Sequence, residues 1–148
     1  MLGRVGLVSV ALVVGLSAAP AWSATPTALV RPAAHLANGQ IVRVTWNGVS
    51  PRHAKDGLEI LECTGAWSAV GVAACDSSAL RTVHLFSVSR RGSAGFRLFI
   101  GKVGSEPGGS CGTSASDNVC NLVVTTVDKN GDWIAGQQAA AQISFGPG

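Results

Sequence analysis

Four cysteines set two short loops into the second half of the chain, and no other feature narrows so far what it can fold into. Cys63 and Cys75 bracket an apolar stretch, CTGAWSAVGVAAC, with Trp67 inside it, and Cys111 and Cys120 bracket a polar one, CGTSASDNVC. An even cysteine count behind an export-type leader reads as a disulfide framework rather than a metal or redox site. Four cysteines allow three pairings, and sequence alone does not choose among them. The favoured pairing is the sequence-local one, Cys63 with Cys75 and Cys111 with Cys120, each bridge stapling a β-hairpin or a corner. In the loop-entropy model a loop of this size stabilises the fold by roughly 2–3 kcal/mol.

The leader is legible in the first 23 residues. Arg4 supplies a short basic start, Val5 to Ala19 is an uninterrupted run of apolar and small residues, and Ala21-Trp22-Ser23 places small residues at −3 and −1 for a cut after Ser23. The run is shorter than the roughly 20 apolar residues a spanning helix needs; a retained membrane anchor is the alternative. Residues 1–23 are therefore expected to be a signal peptide, the protein to be secreted and extracellular, and residues 24–148 to form one domain large enough to bury a core. Losing Arg4 takes the net charge from +3 to +2. That mild surplus is not the signature of a nucleic-acid-binding surface. The one basic pair, Arg90-Arg91, precedes Gly92-Ser93 and reads as part of a solvated turn.

Beyond the leader, nearly every segment reads as β. Gln40–Asn47 sets Val42, Val44 and Trp46 against Arg43 and Thr45, while Leu58–Cys63 alternates Leu58 and Ile60 against Glu59 until Leu61 blurs the pattern. Ala28–Arg31, Thr82–Val88, Phe96–Ile100, Leu122–Val127 and Ala141–Phe145 are further candidates, rich in the Val, Ile, Thr and Phe that suit a pleated, half-buried surface. Turn signals separate them: Asn38-Gly39, Ser50-Pro51, Arg91-Gly92, Pro107-Gly108-Gly109 and Asn130-Gly131. No sustained helical period follows the leader. About seven short strands so punctuated predict an all-β, two-sheet sandwich.

Catalytic and metal motifs are missing. Gly92-Ser93-Ala94-Gly95 lacks the spacing of a nucleophile elbow, there is no His-Glu-x-x-His, and neither cysteine pair has zinc-knuckle spacing. Asp128-Lys129-Asn130-Gly131-Asp132 has the look of a calcium loop, but its glycine comes too early and no glutamate closes it, so a tight turn is expected. His35, His53 and His84 are isolated, and no local feature assembles a triad from them. The chain reads as a non-enzyme with no cofactor of its own and no metal. Aromatics are the better lead. Trp46 falls mid-strand and reads as core, and Trp133 follows a turn and is expected at an end of the sandwich. Trp67 lies in a cystine loop of Gly, Ala and Ser, where an indole either plugs the loop or walls an apolar cleft.

Taken in order, these segments resemble the neocarzinostatin family of secreted apoproteins that carry enediyne chromophores. The resemblance runs from ATPTALVRPAAHLANGQIVRVTWNGVSP through the strand ending in Cys63, the Trp67-bearing loop with its GVAAC closure, the short second cystine loop and the terminal QISF. It implies a seven-stranded immunoglobulin-like β-sandwich with an extra β-ribbon and two local disulfides. It also implies a monomer that binds an apolar aromatic, enediyne-type small molecule non-covalently in a cleft, any DNA damage or antibiotic action residing in the ligand. DNA would then be met only through that ligand, and no membrane after cleavage.

Carried over residue by residue, the Cys63–Cys75 bridge would floor the cleft, Trp67 would stack on the ligand, and Asn121 and Thr125 would offer an amide and a hydroxyl. Alternation puts residues 121, 123 and 125 on one face. Leu80 stands where the family has a cleft phenylalanine, and the loop before Cys111 is a short KVGSEPGGSC without an aromatic. Trp67 is thus the one aromatic wall expected. The sequence pI near 8.9 departs from a typically acidic family. A secreted Ig-like interaction module that has lost chromophore binding is the alternative, and an enzyme the third reading.

Overall fold

The computed structural model describes residues 25–50, 58–76, 81–83, 90–105 and 109–146. The expected signal peptide, Leu80, His53 and His84 lie outside the described residues. Among the described residues nine strands run in chain order: β1 (Thr27–Arg31), β2 (Ile41–Asn47), β3 (Leu58–Cys63), β4 (Arg81–Val83), β5 (Arg91–Arg97), β6 (Gly101–Lys102), β7 (Ser110–Cys111), β8 (Val119–Thr125) and β9 (Ala139–Ser144). They form a three-stranded sheet β1-β2-β5, a four-stranded sheet β4-β3-β8-β9 and a two-stranded ribbon β6-β7, every pairing antiparallel. The sandwich of seven strands with an extra ribbon is the expected architecture. Both local disulfides are present, Cys63–Cys75 and Cys111–Cys120.

Alternation explains how the sheets meet. β1, β2 and β5 turn Val30, Val42, Val44, Trp46 and Phe96 inward, against Leu58, Ile60, Leu122, Val124 and Ile143 of the other sheet. Their outward positions remain solvated, which keeps the sequence pattern clean. β3 and β8 behave differently. Leu61, Cys63 and Val123 are as buried as their inward neighbours but belong to a second apolar cluster on the far side of the four-stranded sheet. Leu61 blurs the alternation because both faces of β3 are covered.

The segment around Arg91-Gly92 corrects the sequence reading. It is not a turn but the start of β5, pairing Arg91 with Asn47 and Gly92 with Trp46. The glycine is there to admit the indole: a Cβ at Gly92 would lie 2.3 Å from the Trp46 ring. A strand glycine commonly marks such a close approach, so its turn-like appearance misleads. Gly92→Ala is expected to cost about 2 kcal/mol through overpacking, in a denaturant titration with unchanged m-value. A midpoint matching the parent chain would show that Trp46 repacks freely.

Asp117 organises the second cystine loop. Its carboxylate accepts hydrogen bonds from the Ser110 and Thr113 hydroxyls and from the backbone N–H and hydroxyl of Ser114. These donors, the Ser110 hydroxyl foremost, hold the carboxyl well below its ordinary range. The polar composition of CGTSASDNVC is therefore a local hydrogen-bond network that delivers Cys120 to β8.

Candidate functional site

The outer face of the four-stranded sheet is built in rows by strand register. Cys63 lies beside Asn121 and Asn121 beside Gln142; the next row is Leu61, Val123 and Ala140; then come Glu59 and Thr125. Small and aliphatic groups in the middle row make an apolar floor between polar ends.

Two tryptophans stand on that floor, brought from segments far apart in sequence. The first cystine loop folds as a single helical turn, α1 (Trp67–Val70), followed by a 3₁₀ turn over Gly71–Ala74. Closure is by Thr64 N–H to the Ala74 carbonyl and Asp76 N–H to the Glu62 carbonyl, at 2.9 and 2.8 Å. The ribbon buttresses this loop: Ser105 N–H donates to the Ala73 carbonyl at 3.0 Å. Gly104 makes that approach possible, since its φ is +73° and a Cβ there would meet the Ala73 carbonyl oxygen at 2.1 Å. Trp67 is thus carried on a short, rigid element and packs half-buried against Leu61, Cys63, Cys75 and Val123.

Trp133 arrives from the Asp128–Asp132 turn. The Asp128 carboxylate accepts the backbone N–H groups of Asn130 and Asp132, at 2.7 and 3.1 Å, and Asp128 N–H donates to the Asp132 carbonyl. This is the tight turn expected from DKNGD, its carboxylate engaged by backbone. Val127 then bridges Trp133 across the turn, aiming the indole at Trp67 with ring centroids 6.4 Å apart and planes tilted by 48°. Trp133 does not cap an end of the sandwich, and the face carries two aromatic walls rather than one. The missed signal was the nearly unbroken apolar run LVVTTV: every residue from Leu122 to Val127 is buried, as happens when both sheet faces are covered.

The remaining site residues differ in access. Asn121 is half-buried beside the Cys63–Cys75 bridge. Thr125 has no exposed surface, and its hydroxyl donates to the Thr126 carbonyl at 3.3 Å. The structure therefore brings Trp67, Asn121 and the first bridge together with Trp133, and places Thr125 in the same face as a covered neighbour. Among the described residues no group of His, Cys, Asp and Glu could hold a metal ion, and no helix is long and apolar enough to cross a membrane.

The fold is similar to one already solved. The solved structure of macromomycin matches over 81% of this chain and 98% of its own, with a TM-score of 0.53 and 24% sequence identity. The chain has the macromomycin fold. The solution conformation of apokedarcidin also matches, over 83% of this chain and 100% of its own, at a TM-score of 0.46 and 27% identity. No protein-family model and no curated protein sequence matches.

Proposed function

We propose that this protein is a secreted carrier of the neocarzinostatin type, which holds an apolar aromatic, enediyne-type small molecule non-covalently on the outer face of its four-stranded sheet. The observation that carries the reading is the tilted Trp67–Trp133 pair over the Leu61–Val123–Ala140 floor, beside the first disulfide. A flat ligand meets two indoles whose polarisable faces favour offset or tilted stacking, and Asn121 supplies a donor and an acceptor at the rim. Residues 1–23 serve as the export signal, and the oxidising compartment it leads to suits both bridges. In this reading any chemistry on DNA belongs to the ligand.

Titration with 2-naphthoate should quench tryptophan emission saturably. Trp67→Ala and Trp133→Ala should each weaken binding about tenfold, the value of one lost stacking contact of about 1.4 kcal/mol. Unchanged affinity in both variants would place the ligand elsewhere or show that none is bound.

A further inference from the structure

The net charge of this chain conceals a segregation that the fold creates. Strands β1, β2 and β5 contain Arg31, Arg43, Arg91 and Arg97 and not one Asp or Glu. All four arginines are exposed and lie on the outward face of the three-stranded sheet, on the opposite side of the sandwich from the tryptophans. The described acidic residues, Glu59, Glu62, Asp76, Asp117, Asp128 and Asp132, all belong to the other sheet, its connections or the second cystine loop.

Register brings Arg31 and Arg43 directly opposite each other on neighbouring strands. Like charges so placed destabilise a sheet. Neither guanidinium makes a hydrogen bond or ion pair among the described residues, whereas Arg91 Nε donates to Asn47 Oδ1 at 2.9 Å and Arg97 donates to the Gly39 carbonyl at 3.0 Å. Arg31 and Arg43 both line an open depression of about 410 Å³ that crosses the sheet to β5, with Ile41, Val42, Ser93, Ala94 and Gly95. An anion seated there would satisfy two guanidinium forks and relieve their repulsion.

We infer that this arginine face is a binding surface for the phosphate backbone of double-stranded DNA, with the Arg31–Arg43 pair as its principal phosphate seat. The face is arginine without lysine, as suits forked phosphate recognition, and Thr45 and Ser93 set hydroxyls among the guanidiniums. From Arg91 to Arg97 the charges extend about 20 Å along β5, comparable to six steps of duplex at about 3.4 Å per phosphate on one strand. Leu29 and Ile41 are its exposed large aliphatics, 49% and 61% accessible, and they stand apart in different rows. That is too little apolar surface for a protein–protein core or for insertion among acyl chains. Recognition is of backbone charge, without base readout, because the face offers guanidinium forks and hydroxyls suited to phosphate oxygens.

The test is fluorescence anisotropy of the purified, ligand-free protein with a labelled 24-base-pair duplex between 20 and 200 mM NaCl, independent of any ligand at the tryptophan face. Binding should be indifferent to sequence, with log K falling against log[salt] at a slope of about −3. Arg31→Ser/Arg43→Ser should weaken binding at least tenfold and flatten the slope by about 2, while leaving the thermal midpoint equal or higher. Lys102→Ser/Lys129→Ser, off this face, should bind as the parent does. Absence of binding at 20 mM salt would overturn the inference, as would equal affinity and slope in the double arginine variant. Tighter binding to phosphatidylglycerol vesicles than to duplex at equal phosphate would reassign the face to a lipid surface and overturn it equally.

Discussion

Replacing Glu62 by Gln should stabilise the protein by about 3 kcal/mol at pH 8 and leave it unchanged near pH 4.5. Glu62 is fully buried on the inward face of β3, in line with Leu58 and Ile60. One carboxyl oxygen accepts the Phe99 N–H at 2.9 Å, tying the segment after β5 to the four-stranded sheet. The other has no hydrogen-bond partner. Burial dominates and pushes the group from 4.5 up to about 7; the Phe99 bond opposes this, and the charge of Asp76 adds to it. Between pH 4.5 and 7 the folded chain therefore keeps a proton on Glu62 that the unfolded chain has released. Stability falls as pH rises through that window. A displacement of roughly 2.5 units at 1.36 kcal/mol each gives the 3 kcal/mol, or roughly 10 °C in Tm for a domain of this size.

Glutamine preserves the bond from Phe99 and cannot ionise. At pH 4.5 both side chains are neutral and keep the Phe99 bond, the protonated acid leaving one donor unpartnered and the amide two, so the large difference seen at pH 8 should be absent. Thermal unfolding of both proteins from pH 4 to 8 checks this, and parallel curves would show that Glu62 is already solvated. Asp117 acts in the opposite sense. Its lowered value gives stability that is present above the ordinary carboxylate range and lost as pH falls through it. The two groups thus pull in opposite senses, Glu62 weakening the fold above the ordinary carboxylate range and Asp117 below it.

Cys63→Ser/Cys75→Ser should also cost about 3 kcal/mol, the loop-entropy value for a bridge spanning 12 residues. A second consequence separates this bridge from a mere staple. α1 is only four residues long, has no side-chain cap and buries none of its residues fully, so an isolated turn of that length does not persist in water. Without the covalent link Trp67 should leave Trp133, shifting tryptophan emission to the red and abolishing 2-naphthoate quenching even where the rest of the sandwich remains folded. Cys111→Ser/Cys120→Ser, whose loop is also held by the Asp117 network, should lower stability while retaining the emission of the Trp67–Trp133 pair. If both double variants kept the parental emission, the first bridge would have no part in positioning Trp67.

The contrast between these two loops shows what was legible in the chain. The sandwich followed from two-residue alternation and turn residues, which are local; cysteine spacing only favoured the local pairing, and for Trp67 it left a plug and a cleft wall both open. Gly92 looked like a turn because nothing local reveals that Trp46, forty-six residues earlier, needs the space. Trp133 looked peripheral for the same reason: its partner lies sixty-six residues away, and only the strand order β3-β8-β9 brings the two segments onto one face. Glu62 drew no notice in the sequence, because its burial exists only once the second sheet closes over it.

Sequence by itself determined the class of fold and the clean alternation of β1 and β2, and it favoured the two local bridges without choosing them. It could not determine which sides of separate strands share a surface, because that depends on sheet order and register. Tertiary structure decided that Trp67 and Trp133 form one apolar site and that four scattered arginines form one charged face. Both results arise when pairing between distant strands sums residues whose local patterns carry no trace of one another.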